Sequence, residues 1–213
     1  MNAGHIATTQ ARDCARWLTQ SGRTRVAVFI DAADRTLALE RMLKIAPELL
    51  HLQPSAAIVF AIHSPSVPGN TAQEQLSAAG AVRDWNWVRA MMNRYEPVSD
   101  ESITGFLRFD PTVEHSFEGC VPYDAWLFPH TGAACEALAW LSRAAVEPSR
   151  RPAVLTFDNT VRTRHMGISC CVPDWDRLGY LMAHGIIGDI PLERSRHGFL
   201  HCGSLLLHRE TMD

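Results

Sequence analysis

Lysine is almost missing from this chain: of 20 basic residues, Lys44 is the sole lysine and the others are arginine. A coding bias toward arginine produces such a composition. The shortage still has chemical consequences. Schiff-base chemistry or a lysine-bearing phosphate loop would have to use Lys44, which stands in a helical pattern and not in a Gly-rich turn. Long apolar runs are missing as well. None approaches the roughly 18 residues that span a bilayer, so no membrane association is expected. Met1–Gln20 carries Arg12, Asp13 and Arg16 without a continuous apolar core, and it is not expected to be a signal peptide. There is no CxxC pair. The cysteines at 14, 120, 135, 170, 171 and 202 read as reduced thiols of a cytoplasmic protein. Net charge is -3 and neither half is strongly basic, so nucleic acid is not expected as a partner. GxGxxG, Walker-type, HExxH, GxSxG and kinase signatures are all lacking. The 6 Trp and 8 Phe fall at helical or strand spacing and read as core rather than as a base-stacking platform.

What is present is an ordinary globular composition. With 213 residues and 46% hydrophobic content, the chain can bury a core as a single α/β domain spanning 1–213. Arg25–Ile30, Ala56–Ile62, Asp124–Phe128, Ala153–Asp158 and Ser204–His208 read as strands. Between them lie helical patterns at Thr36–Ala46, with a bend or restart at Pro47, and at Thr71–Ala79, Arg83–Tyr95 and Ala134–Val146. Ser64–Asn70 reads as a turn-rich loop, and residues 83–122 as a possible insertion. Strands that are apolar throughout, separated by helices, predict a mostly parallel sheet covered by helices on both faces.

Three groups of residues carry candidate chemistry. Cys135 is expected in the first turn of the helix after the third strand. There, unpaired N–H groups and the positive helix end would favour a thiolate and could hold an oxyanion. A small buried thiol that only packs has the same sequence appearance. Glu136 beside it would oppose ionisation. His130, five residues earlier across the turn, is a candidate base, although a solvated turn histidine reads identically. The last third gathers His165, Cys170, Cys171, His184, His197, His201 and Cys202, soft donors that could hold a metal. No paired knuckle is present, and no metal site or cofactor is assigned. Asp158-Asn159-Thr160 closes a strand where α/β folds bind ligands, and equally reads as an ordinary polar strand end.

Two segments together resemble the thiolase superfamily, in particular condensing enzymes of the ketoacyl synthase III type. Ala56–Val82 (AAIVFAIHSPSVPGNTAQEQLSAAGAV) looks like the strand, loop and short helix before that family's nucleophile. Gly132–Val161 (GAACEALAWLSRAAVEPSRRPAVLTFDNTV) looks like its Ala-Ala-Cys turn, buried helix and following strand, and Gly198–Arg209 like the strand that closes its first half. The resemblance implies a thiolase-like half-unit with Cys135 as acyl-accepting nucleophile. It implies acyl-coenzyme A or an acyl carrier protein as partner, and a homo- or hetero-oligomer with a thiolase-fold chain. On the same resemblance the chain could instead be an inactive partner subunit that completes a larger condensing enzyme.

Overall fold

A computed structural model describes residues 3–31, 37–63, 86, 88–90, 103–109, 117–192 and 202–212. Its frame is a seven-stranded sheet: β1 (Arg25–Asp31), β2 (Ala57–His63), β3 (Ile103–Phe109), β4 (Ala125–Phe128), β5 (Ala153–Thr156), β6 (Ser169–Pro173) and β7 (Ser204–Leu207). The order is β3-β2-β1-β4-β5-β6-β7. Neighbours are parallel until the last pair, where β7 runs antiparallel to β6.

Helices cover both faces, as expected for strands that are apolar on both sides. On one face lie α1 (Ala3–Gln20) and α2 (Leu37–Leu52). Ala7, Ala11, Cys14, Ala15 and Leu18 recur at helical spacing and are fully buried, and α2 matches them with Met42, Leu43, Ala46 and Leu49. This layer packs on Val28, Ile30, Phe60, Ile62, Leu127 and Leu155. The other face is covered by α3 (Thr131–Arg143), which buries Ala134, Cys135, Ala137, Trp140 and Leu141. Its partners are the alternate residues of the same strands, Phe29, Trp126, Phe128 and Val154, with Phe109 and Phe117. Phe29 stacks on Phe128 at 4.1 Å and meets Phe109 edge-on at 5.0 Å. The Trp126 indole N–H donates to the Cys120 carbonyl at 2.9 Å, so this large ring is buried without stranding its polar atom.

Several elements depart from the sequence expectation. Pro47 lies inside α2, which runs on to Leu52 instead of breaking. The missing N–H and the ring's clash with the preceding turn are tolerated because flanking Ile45, Ala46 and Leu49 are buried. Helix α1, the strands β3 and β6, α4 (Val161–His165) and α5 (Trp175–Ile187) had no counterpart among the expected elements. The stretch read as an insertion, 83–122, contributes edge strand β3. The expected loop Ser64–Asn70 and helix Thr71–Ala79 lie outside the described residues, as does most of Arg83–Tyr95. Among the described residues no helix is long and apolar enough to cross a membrane.

Candidate functional site

Strand β1 has β2 on one side and β4 on the other. The chain leaving β1 enters α2 on one face, and the chain leaving β4 enters α3 on the other. In open α/β sheets a switch of this kind is where ligands bind, beyond the carboxyl ends of the strands.

A row of polar side chains stands at that edge. Asp31 ends β1 and is in register with His63, the last residue of β2, which is in register with Phe109 of β3. His63 Nδ1 lies 3.4 Å from Asp31 Oδ2, and its ring meets Phe109 edge-on at 6.0 Å. On the other side of the switch, His130 Nδ1 lies 3.6 Å from Asp158 Oδ2. Strand alternation explains the row. Asp31, His63, His130 and Asp158 each follow by two residues a side chain on the α3 face: Phe29, Ala61, Phe128 and Thr156. Two His–Asp pairs therefore crown the aromatic layer, one on each side of the switch between β1 and β4.

Asp158 also closes a helix. His130 occupies the N-cap position of α3 without a capping side-chain bond, and the Thr131 N–H donates instead to Asp158 Oδ2 at 3.3 Å. A carboxylate at this helix end suits the positive pole. The His130 imidazole beside it holds the Asp158 carboxyl below the usual carboxylate range. Partial burial works against it, while the His130 charge, the Thr131 N–H and the nearby Arg41 add to the lowering. Arg41 lies across the α2 face, its guanidinium 4.6 Å from the Phe157 ring and donating to Gln10 Oε1 at 2.8 Å. Beyond Asp158, Asn159 Oδ1 accepts from Arg209 Nη2 at 2.8 Å, and the Thr160 hydroxyl caps α4 by accepting the Thr163 N–H.

Cys135 is placed differently from the sequence expectation. Helix α3 begins at Thr131, so Cys135 is its fifth residue, past the turn whose N–H groups lack helical partners. It is 1% exposed. Burial pushes its thiol up, Glu136 adds to the rise and Arg162 partly offsets it, so the expected thiolate is not favoured. The other five cysteines are likewise buried and free, with thiols pushed up by burial, Cys120 and Cys171 to about 12. His130 keeps its expected place in the turn, half exposed, and engages Asp158.

The C-terminal His/Cys group is dispersed. Cys170 and Cys171 alternate on β6: the Cys170 S–H donates to the Asp158 carbonyl at 3.2 Å, while Cys171 belongs to the α1–α2 core. His184 pairs with Asp189 beside α5, and the Cys202 S–H donates to the Asp174 carbonyl at 3.1 Å. Among the described residues no three His, Cys, Asp or Glu side chains converge to hold a metal, which corrects the metal-binding expectation. His197 and His201 lie outside the described residues. From the sequence Asp31 reads only as a helix start after the first strand, and His63 is not singled out. Each is the polar residue that ends an apolar strand run, a signal that would have flagged both.

No family model and no curated protein matches the chain. Solved structures do match its fold. A putative LacI transcriptional regulator from Bacillus cereus subsp. cytotoxis superposes with a TM-score of 0.53 at 13% identity, over 98% of this chain and 61% of that one. A sugar-binding LacI-family transcriptional regulator from Escherichia coli, complexed with phosphate, gives 0.53 at 12% identity over 97% and 61%. A PurR-family transcriptional regulator from Vibrio parahaemolyticus gives 0.51 at 14% over 98% and 62%. The chain thus spans about three-fifths of the length of these regulators.

These likenesses overturn the thiolase reading. The fold is that of regulator domains and not a thiolase-like half-unit of a condensing enzyme. The acyl-transfer role of Cys135 loses its warrant with it. So do acyl-coenzyme A or an acyl carrier protein as partner, a thiolase-fold chain as companion, and the inactive-subunit alternative. The exclusion of nucleic acid is overturned too, because the matching structures are transcriptional regulators.

Proposed function

We propose that this chain is the ligand-sensing module of a transcriptional regulator, and that it binds a small hydroxyl-rich molecule, of the sugar class, at the carboxyl edge of its sheet. The observation that carries this reading is the row Asp31, His63, His130 and Asp158, set as two His–Asp pairs on either side of the β1/β4 switch. Carboxylate oxygens accept from hydroxyl groups, and imidazole nitrogens both donate and accept, so the row matches vicinal hydroxyls. The fold likeness to a sugar-binding regulator supports the same ligand class. Binding of this kind needs no nucleophile, in keeping with the buried, un-ionised Cys135.

The test is a thermal-shift and calorimetric screen of mono- and disaccharides on the intact chain, repeated with His63→Gln and His130→Gln. A true ligand at about 100 times its Kd stabilises by roughly 2.7 kcal/mol, a shift easily read. Both variants are expected to weaken that ligand by about tenfold, the worth of a lost hydrogen bond to a charged pair. If no sugar shifts the melting temperature, or if both variants bind unchanged, the reading fails.

A further inference from the structure

A concavity lies at the opposite end of the sheet from the His–Asp row, where the parallel strands begin. Its volume is about 670 Å³, within the range that takes a small organic ligand. Leu138 of α3, Met166 after α4 and Pro152 at the entry to β5 form an apolar wall. Two guanidiniums stand at it: Arg23, just before β1, and Arg151, just before β5. Each is steered by one backbone carbonyl. Arg23 Nη1 donates to the Asp124 carbonyl at 3.2 Å, and Arg151 Nε to the Val146 carbonyl at 3.0 Å.

Those bonds leave further N–H groups on both forks, and among the described residues neither arginine has an acidic partner. Glu210, the acid on the rim, is turned against Gly167, its Oε2 2.8 Å from where a Cβ would stand. The cavity therefore pairs an apolar wall with two oriented guanidiniums, for which no ion pair is seen among the described residues, and with the one carboxylate of Glu210. Guanidinium forks fit a planar carboxylate or a sulfonate, while Leu138, Met166 and Pro152 would shelter a hydrocarbon body.

We propose that this cavity is a binding site for a small amphipathic organic anion, its headgroup on Arg23 and Arg151 and its apolar body on the Leu138–Met166–Pro152 wall. It lies at the other end of the strands from the Asp31–Asp158 row and does not depend on a sugar binding there.

The test is fluorescence titration of the full chain with 8-anilinonaphthalene-1-sulfonate, followed by displacement with octanoate and with octan-1-ol. The expected result is one saturable site that octanoate empties and octan-1-ol does not. The double variant Arg23→Gln/Arg151→Gln, its fold checked by far-ultraviolet circular dichroism, is expected to bind the probe at least about tenfold more weakly. Ala139→Trp, which fills the cavity from α3, should abolish binding, and it decides the matter if the double variant does not fold. His63→Gln and His130→Gln should leave the probe's affinity unchanged, which separates this site from the proposed sugar site. Several equivalent weak sites, equal displacement by octan-1-ol, or unchanged binding in Ala139→Trp would each overturn the proposal.

Discussion

The carboxylate of Asp158, just past the end of β5, accepts the backbone N–H of Thr131, the first residue of α3, at 3.3 Å. These residues lie 27 positions apart, on either side of a whole helix and strand. The helix that leaves one strand is thus capped by a residue just past the end of the next, and the same carboxylate faces His130. The candidate site and the start of α3 are one construction.

Asp158→Asn separates the two roles. The amide oxygen can still accept the Thr131 N–H, but the charge is lost. The folded carboxyl titrates below its ordinary value, so its contribution is present above the usual carboxylate range, near about 3.9, and is lost as pH falls through the lower folded value. The group is partly exposed, which limits that contribution to under about 1 kcal/mol. Urea midpoints between pH 6 and pH 3 are expected to fall less steeply in the variant than in the parent. Parallel slopes would show that the charge stabilises nothing.

Cys135 is expected to behave as a core residue. Iodoacetamide should label it slowly at neutral pH, and incubation with acetyl-coenzyme A should leave the intact mass unchanged. Cys135→Ala should cost about 1 kcal/mol for the small void it leaves. A single fast-labelling thiol that disappears in this variant would contradict the placement.

The aromatic layer beneath the site should dominate stability. Phe29 is 1% exposed and touches Phe109, Phe117, Trp126 and Phe128. Phe29→Ala is expected to cost about 3–5 kcal/mol in denaturant unfolding. Phe29→Leu should recover most of that loss.

Near the C-terminus, the Thr211 hydroxyl donates to the Val154 carbonyl at 2.7 Å and accepts the Ser169 N–H at 2.9 Å. It ties the last turn to β5 and β6. Thr211→Val keeps the shape but strands both backbone groups, so a loss of about 1–3 kcal/mol is expected, with Thr211→Ser close to the parent.

Gly167 sits at φ +64°, and an added Cβ would meet Glu210 Oε2 at 2.8 Å. Gly167→Ala should therefore cost about 1 kcal/mol or more, from the backbone and from the contact. Adding Glu210→Ala should return only the contact's share. Full recovery in the double variant would show that the backbone strain is negligible.

The sequence by itself determined the fold class. β1, β2, β4 and β5 are buried on both faces, so their apolar character is continuous and legible in one dimension. It also located Asp158 at a strand end and His130 in the turn before α3. It hid β6, whose Ser-Cys-Cys run lacks a strand's usual bulk, and α1, whose small apolar residues are spaced rather than contiguous. The Ala-Ala-Cys turn misled for a related reason. Small residues pack wherever a helix starts against a parallel sheet, so the segment describes a local strand-to-helix unit shared by unlike folds. Only the tertiary structure decided the strand order. Pairing β1 with β4 joins residues about a hundred positions apart, as when Asp124 receives the N–H of Arg25, and no local pattern encodes such a contact. That order sets the switch at β1/β4, brings His63 to Asp31 and His130 to Asp158, and leaves Cys135 in the core beneath them.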